Sequence, residues 1–110
     1  MKPGMTTVTV AYPSGEGKTF DRDYYMSTHV PLVREKLGGA LRGMMVDYGL
    51  AGGAPETDAT YSTIATMYFD SPEAFQNAFG PHAGEILSDL SNFTNAEPVI
   101  QINEIAGMWH

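Results

Sequence analysis

Apolar residues along this chain recur with two different periods, and the order of those periods constrains the fold more than any other feature. Met5 to Tyr12 alternates with a period of two: Val8, Val10 and Tyr12 fall on one face, Thr7, Thr9 and Ala11 on the other. Asp21 to Leu37 changes to helical period, with Met26, Val30, Val33 and Leu37 on one stripe. Asp21 stands where a carboxylate both caps the helix and meets its dipole, and Pro31 is expected to bend or divide it. Gly43 to Leu50 and Thr60 to Phe69 return to strand period around the loop Ala51-Gly52-Gly53-Ala54-Pro55. Ser71-Pro72-Glu73 then opens a second helix with a hydroxyl cap, a proline in first position and an acid in the first turn. Its stripe of Phe75, Phe79, Ile86 and Leu90 is interrupted at Gly80-Pro81, and Pro98 to Ile105 forms a last strand.

The resulting order, β-α-β-β-α-β, predicts an α+β fold of ferredoxin-like type. Four antiparallel strands form its sheet, with both helices on one face. A chain of 110 residues has room for one such core, expected over residues 5–106. Strand neighbours such as Met44 and Met45, or Val99 and Ile100, must point to opposite faces. The face without helices therefore carries apolar residues, and a second copy of the chain is its simplest cover. Asp47, Gln101 and Asn103 lie inside strands and make that face mixed. An apolar cavity with a few polar groups is the usual description of a small-molecule pocket.

Composition excludes several kinds of chemistry. There is no cysteine, hence no disulfide, thiolate nucleophile or Cys-ligated metal, and the absence fits a reducing cytoplasm. Six Lys and Arg against 13 Asp and Glu give a formal charge of −7. Such a surface repels nucleic acid and anionic lipid. The N-terminal residues have no apolar run suited to a signal peptide or membrane span, so a cytoplasmic protein is expected. No dinucleotide-binding, phosphate-loop or nucleophile-elbow motif occurs, and Gly52-Gly53 reads as a flexible turn. His29, His82 and His110 lack the local spacing of a zinc site. Neither a cofactor nor a metal is expected.

The chemistry-bearing residues concentrate in Phe20-Asp21-Arg22-Asp23-Tyr24-Tyr25-Met26-Ser27-Thr28-His29-Val30-Pro31-Leu32. Tyr25 and His29 are four apart and share a helix face. His29 borders the buried stripe, where an imidazole is half desolvated, titrates near neutrality and faces the sheet, as a general acid or base requires. A purely structural role is the alternative, the ring satisfying carbonyls freed by Pro31. Asp47 is the second candidate. A carboxylate amid Met45, Val46 and Tyr48 must be paired, hydrogen-bonded or solvated, and it is a candidate to orient His29 or to act as base. An edge position where it reaches water is the alternative reading. Tyr12, Tyr61 and Tyr68, in strands, are candidates to line a pocket with hydroxyls.

The run F-D-x-D-Y-Y-x-x-x-H-x-P-L resembles the N-terminal signature of the EthD (ethyl tert-butyl ether degradation) family. Gly49-Leu50-Ala51-Gly52-Gly53, Tyr68-Phe69-Asp70-Ser71, Glu85-Ile86-Leu87-Ser88-Asp89, Asn92-Phe93-Thr94-Asn95 and Pro98-Val99-Ile100-Gln101 fit the same pattern in order. The resemblance implies a dimeric α+β barrel, two ferredoxin-like sheets packed face to face with a ligand cavity in each protomer. Relatives in the wider superfamily isomerise muconolactones, cyclise polyketides, oxidise anthrones, or bind and degrade haem. Several use no cofactor, and a cavity His or Asp moves protons on an acidic carbon. The matching position here is His29, with Tyr25 beside it. The expected function is thus a cofactor-free acid/base enzyme of isomerase, cyclase or oxygenase type, acting as a homodimer on a small hydrophobic or aromatic metabolite. His29 and Asp47 would be its catalytic pair, and Tyr25, Tyr12 and Tyr68 its substrate contacts. The competing expectation is a non-catalytic binder that sequesters a hydrophobic compound or haem, with His29 as axial ligand in the latter case. A third is an oligomeric domain with no ligand.

Overall fold

Both helical segments of the fold begin at a residue whose side chain satisfies a backbone amide. In the computed structural model, which describes residues 1–110, Asp21 accepts a 3.0 Å hydrogen bond from the Tyr24 amide and starts the first helical segment. Ser71 does the same for the second through the Ala74 amide at 3.0 Å, with Pro72 in first position. The elements run β1 (Thr6–Pro13), α1 (Arg22–Tyr24), a π-helical turn (Tyr25–His29), α2 (Val30–Leu37), β2 (Gly43–Tyr48), β3 (Tyr61–Phe69), α3 (Pro72–Phe79), α4 (Ala83–Ser88) and β4 (Val99–Glu104). Gly80–His82 forms a 3-10 turn between α3 and α4, the interruption that Gly80-Pro81 signals.

The sheet is antiparallel with strand order β2-β3-β1-β4, the ferredoxin-like arrangement. Register fixes its two faces. Val8 pairs with Met67 on β3 and Ile102 on β4, and Met44 pairs with Met67, so these residues share the helix-covered side. Thr7, Thr9, Met45, Asp47, Thr66, Tyr68, Gln101 and Asn103 point the other way. There Asn103 donates to the Thr7 and Thr9 hydroxyls at 3.2 and 3.0 Å, and Gln101 donates to Asn103 at 2.7 Å. Met45 and Val99 remain about half exposed on the same side. The uncovered face is mixed, as the strand sequences imply.

One departure from sequence periodicity matters for the site. Met26 was expected on the buried stripe, yet it is exposed, and Tyr25, His29, Val30, Val33 and Leu37 are the inward residues. The cause is the π-turn, in which the Val30 amide bonds the Tyr25 carbonyl five residues back rather than four. The extra residue turns both His29 and Val30 inward and swings Met26 out. Pro31 follows directly and has no amide to offer, so the helix widens ahead of it and continues rather than dividing.

Glycines of the β2–β3 connection are sterically required rather than merely flexible. A Cβ at Gly49 would run into the Tyr61 carbonyl oxygen, and one at Gly52 into the Thr57 side chain and the Asp58 carbonyl.

The core falls into two parts. Val8, Val33, Leu37, Met67, Phe69, Phe75 and Ile86 pack at one end. Tyr12, Tyr25, Val30 and Phe93 pack at the other. Between them the helices do not close on the sheet.

Candidate functional site

The gap between the two core clusters is a cavity of about 190 Å3, enclosed by the sheet below and the helical segments above. It therefore lies on the helix-covered side, not against the uncovered sheet face where strand composition alone suggested a pocket. Of its 17 lining residues 15 are apolar or aromatic, and none is Asp, Glu, Lys or Arg. Any occupant must be mostly apolar. The lining residues with polar side-chain atoms are His29, Tyr12 and Tyr25.

His29 is only 4% exposed. Its ring stacks on Tyr25, with centroids 5.5 Å apart, and lies 4.6 Å from the Phe93 ring. The Nδ1 atom is 2.9 Å from Asp89 Oδ2, so Nδ1–H donates to that carboxylate and Nε2 carries the lone pair. The Nδ1 bond leaves Nε2 as the free ring nitrogen, and His29 is among the residues that line the cavity. Asp89 is itself held on its other oxygen. The Tyr24 hydroxyl donates to Oδ1 at 2.6 Å and the Asn92 amide at 2.9 Å. A carboxylate with three donors has no freedom to turn, and it fixes both tautomer and tilt of the imidazole.

These residues are distant in sequence and are brought together by local stitching. The Asp21 amide bonds the Phe93 carbonyl at 2.7 Å, Phe20 bridges Thr94, and the Thr94 hydroxyl donates to the Thr19 carbonyl at 2.7 Å. The turn carrying Asp89 and Asn92 is thereby fastened to the start of the helix carrying Tyr24 and His29.

Burial pushes the His29 imidazole below its ordinary value, against the upward pull of Asp89. That direction favours the neutral ring at pH 7. For Asp89 burial acts upward, but hydrogen bonds from Tyr24, Asn92 and His29 together outweigh it and hold the carboxyl below its usual range. Burial raises Tyr25 to about 12 and Tyr12 further still. Both phenols keep their protons. Their rings meet edge to face with centroids 5.8 Å apart.

These shifts make His29 and Asp89 contribute to the acid sensitivity of the fold. As pH falls, the unfolded chain takes a proton at residue 29 before the folded protein does, so this contribution is complete above about pH 6.5 and is lost below it. Asp89 acts in the same direction at lower pH, its contribution fading below the ordinary carboxyl value. The urea midpoint is expected to drop between pH 7.5 and 5.5, and the drop to be smaller in His29→Gln. An unchanged slope in that variant would assign the loss to another group.

The residues singled out from sequence distribute unevenly. His29, Tyr25 and Tyr12 meet at the cavity. Asp47 does not join them: it is exposed on the opposite face of the sheet, where its register with Ile64 places it, and water rather than an imidazole solvates it. The carboxylate beside His29 is Asp89. Tyr68 pairs with Thr7 and Gly43 and also faces away from the cavity. His82 is partly buried in the turn between α3 and α4. No group of three or more acidic or histidine side chains converges on a point where a metal ion could sit. Haem does not fit the cavity, since an apolar cavity of roughly 150 Å3 takes a single benzene ring and a four-pyrrole macrocycle needs far more. No helix is long and apolar enough to cross a membrane.

An EthD domain profile matches residues 14–97. The chain is 40% identical to an EthD-like protein from Ralstonia eutropha JMP134, with a TM-score of 0.88 over 94% of this chain and 93% of that one. An ethyl tert-butyl ether degradation family protein from Bacillus halodurans C-125 is 24% identical, with a TM-score of 0.64 over 91% and 97% of the two chains. A dimeric protein of unknown function and ferredoxin-like fold from Bacteroides fragilis NCTC 9343 shares 12% identity and a TM-score of 0.59 over 94% and 99%. No curated protein sequence matches the chain.

Proposed function

This chain belongs to the EthD family, and from that premise we propose that it transfers protons next to the carbonyl of a small hydrophobic metabolite. The observation that carries this reading is the His29 imidazole, held by Asp89 at 2.9 Å through Nδ1 and lining an apolar cavity. His29 Nε2 takes a proton from the carbon beside the carbonyl, and the electron pair of the broken C–H bond moves into the C–O unit. The enolate oxygen that forms accepts hydrogen bonds from the Tyr25 and Tyr12 phenols, which stay protonated at the pH where His29 is a free base. The imidazolium is stabilised by Asp89 and returns the proton to another atom of the same substrate. Isomerisation or ring closure balances with these groups alone.

The protein acts as a homodimer in this reading. Its open face carries Met45 and Val99 half exposed beside the Thr7, Thr9 and Asn103 network, a surface that a second sheet would cover.

The test follows α-proton exchange of small aryl ketones in D2O by proton NMR. Wild-type protein is expected to accelerate exchange well above buffer, and His29→Gln to return it to the buffer rate while the folded spectrum persists. Equal rates in the two proteins would remove His29 from the chemistry. Ketones that bind without exchanging would make the protein a carrier rather than an enzyme.

A further inference from the structure

We propose that the cavity selects a neutral carbonyl compound of a single ring and rejects carboxylates of the same shape. The inference rests on the proton-transfer reading for the placement of the carbonyl and adds the class of substrate.

Charge argues first. No lysine or arginine lines the cavity, and the His29 imidazole that does is backed by the Asp89 carboxylate. An anion entering would lose its water, find no cation, and sit one ring away from another anion. Protonating His29 to receive it would place an imidazolium in a site whose burial already opposes that charge. The way in is equally unhelpful to an anion. Leu87 on α4 and Ile100 on β4, each about half exposed, are the most exposed of the lining residues, and both are apolar.

Distribution of polar groups argues second. His29, Tyr12 and Tyr25 cluster against the Tyr12–Phe93 end of the core, while Val33, Leu37, Met67, Phe75 and Ile86 form the other end. A ligand with one oxygen-bearing end and an otherwise hydrocarbon body matches that polarity; one with polar groups at both ends does not. Size argues third. A volume of about 190 Å3 slightly exceeds the roughly 150 Å3 known to hold benzene, leaving room for a short side chain but not for a second ring.

Phenylacetone and phenylacetate form a near-isosteric pair that differs in a methyl against a charged oxygen. Titration calorimetry with the wild-type protein at pH 7.5 is expected to show phenylacetone binding at least about tenfold more tightly than phenylacetate. The 4-phenyl derivative of phenylacetone is expected not to bind. Leu87→Trp, a change at an exposed position, should weaken phenylacetone by narrowing the mouth and so locate the binding. Equal or reversed affinities for the pair would overturn the inference, as would failure of both to bind at millimolar concentration. Selectivity is separable from chemistry. Loss of exchange activity with selectivity intact would sink the proton-transfer reading alone, and exchange without selectivity would sink this one alone.

Discussion

Replacing Phe69 by alanine is expected to destabilise the protein by about 3–5 kcal/mol, a large part of the roughly 5–15 kcal/mol that holds a typical domain folded. Phe69 is fully buried at the end of β3, and its ring meets Phe75 edge to face with centroids 5.2 Å apart. Phe75 in turn stacks on Phe79, and both of these line the cavity. Removing Phe69 deletes its own transfer free energy and also leaves Phe75 without the surface that positions it. The strand cannot collapse to fill the void, because Phe69 pairs with Thr6 across the sheet and its backbone is fixed. Urea unfolding should show the lower midpoint. Trp109→Ala provides the contrast: that larger ring is 89% exposed and its loss should leave the midpoint nearly unchanged. A small effect at Phe69 would mean that the core is more adaptable than its packing indicates.

The same contacts explain which parts of the molecule are readable from sequence. Strand and helix periods are local properties, and the residues at which they change, Asp21, Ser71 and Gly80-Pro81, cap or break elements through their own chemistry. The β-α-β-β-α-β order follows, and with it the inward placement of His29. Two features escape a local reading. The π-turn shifts the buried stripe by one residue, because the helix relaxes around Pro31 in a way that straight helical period does not encode. The partner of His29 escapes for a different reason. Asp89 lies 60 residues away, in a turn whose position depends on Phe20, Thr19 and Phe93 being stitched together. Asp47 drew attention because a carboxylate inside an apolar strand looks costly. On the uncovered face it is exposed, and no cost arises. A usable signal for Asp89 was present: it lies three residues after Ile86 on the inward stripe of the second helical segment, and residues at that spacing share a helix face.

Changing Asp89 to asparagine is expected to lower the rate of proton transfer by about 10²- to 10⁴-fold with little change in shape. The argument concerns tautomers. Oδ1 of residue 89 accepts from both the Tyr24 hydroxyl and the Asn92 amide, so an asparagine keeps its carbonyl oxygen there and turns its NH2 group toward His29. Nδ1 must then accept instead of donate, the ring proton moves to Nε2, and the lone pair that faced the cavity is gone. The imidazolium formed during catalysis also loses its counter-charge. Binding of a neutral ketone should weaken far less than exchange, because Tyr12, Tyr25 and the apolar walls are untouched. Nitrogen-15 NMR of the imidazole would report the proton on Nδ1 in the wild type and on Nε2 in the variant. Exchange that persisted in Asp89→Asn with the proton already moved would mean that Nε2 is not the base, and the proton-transfer role of His29 would fall with it.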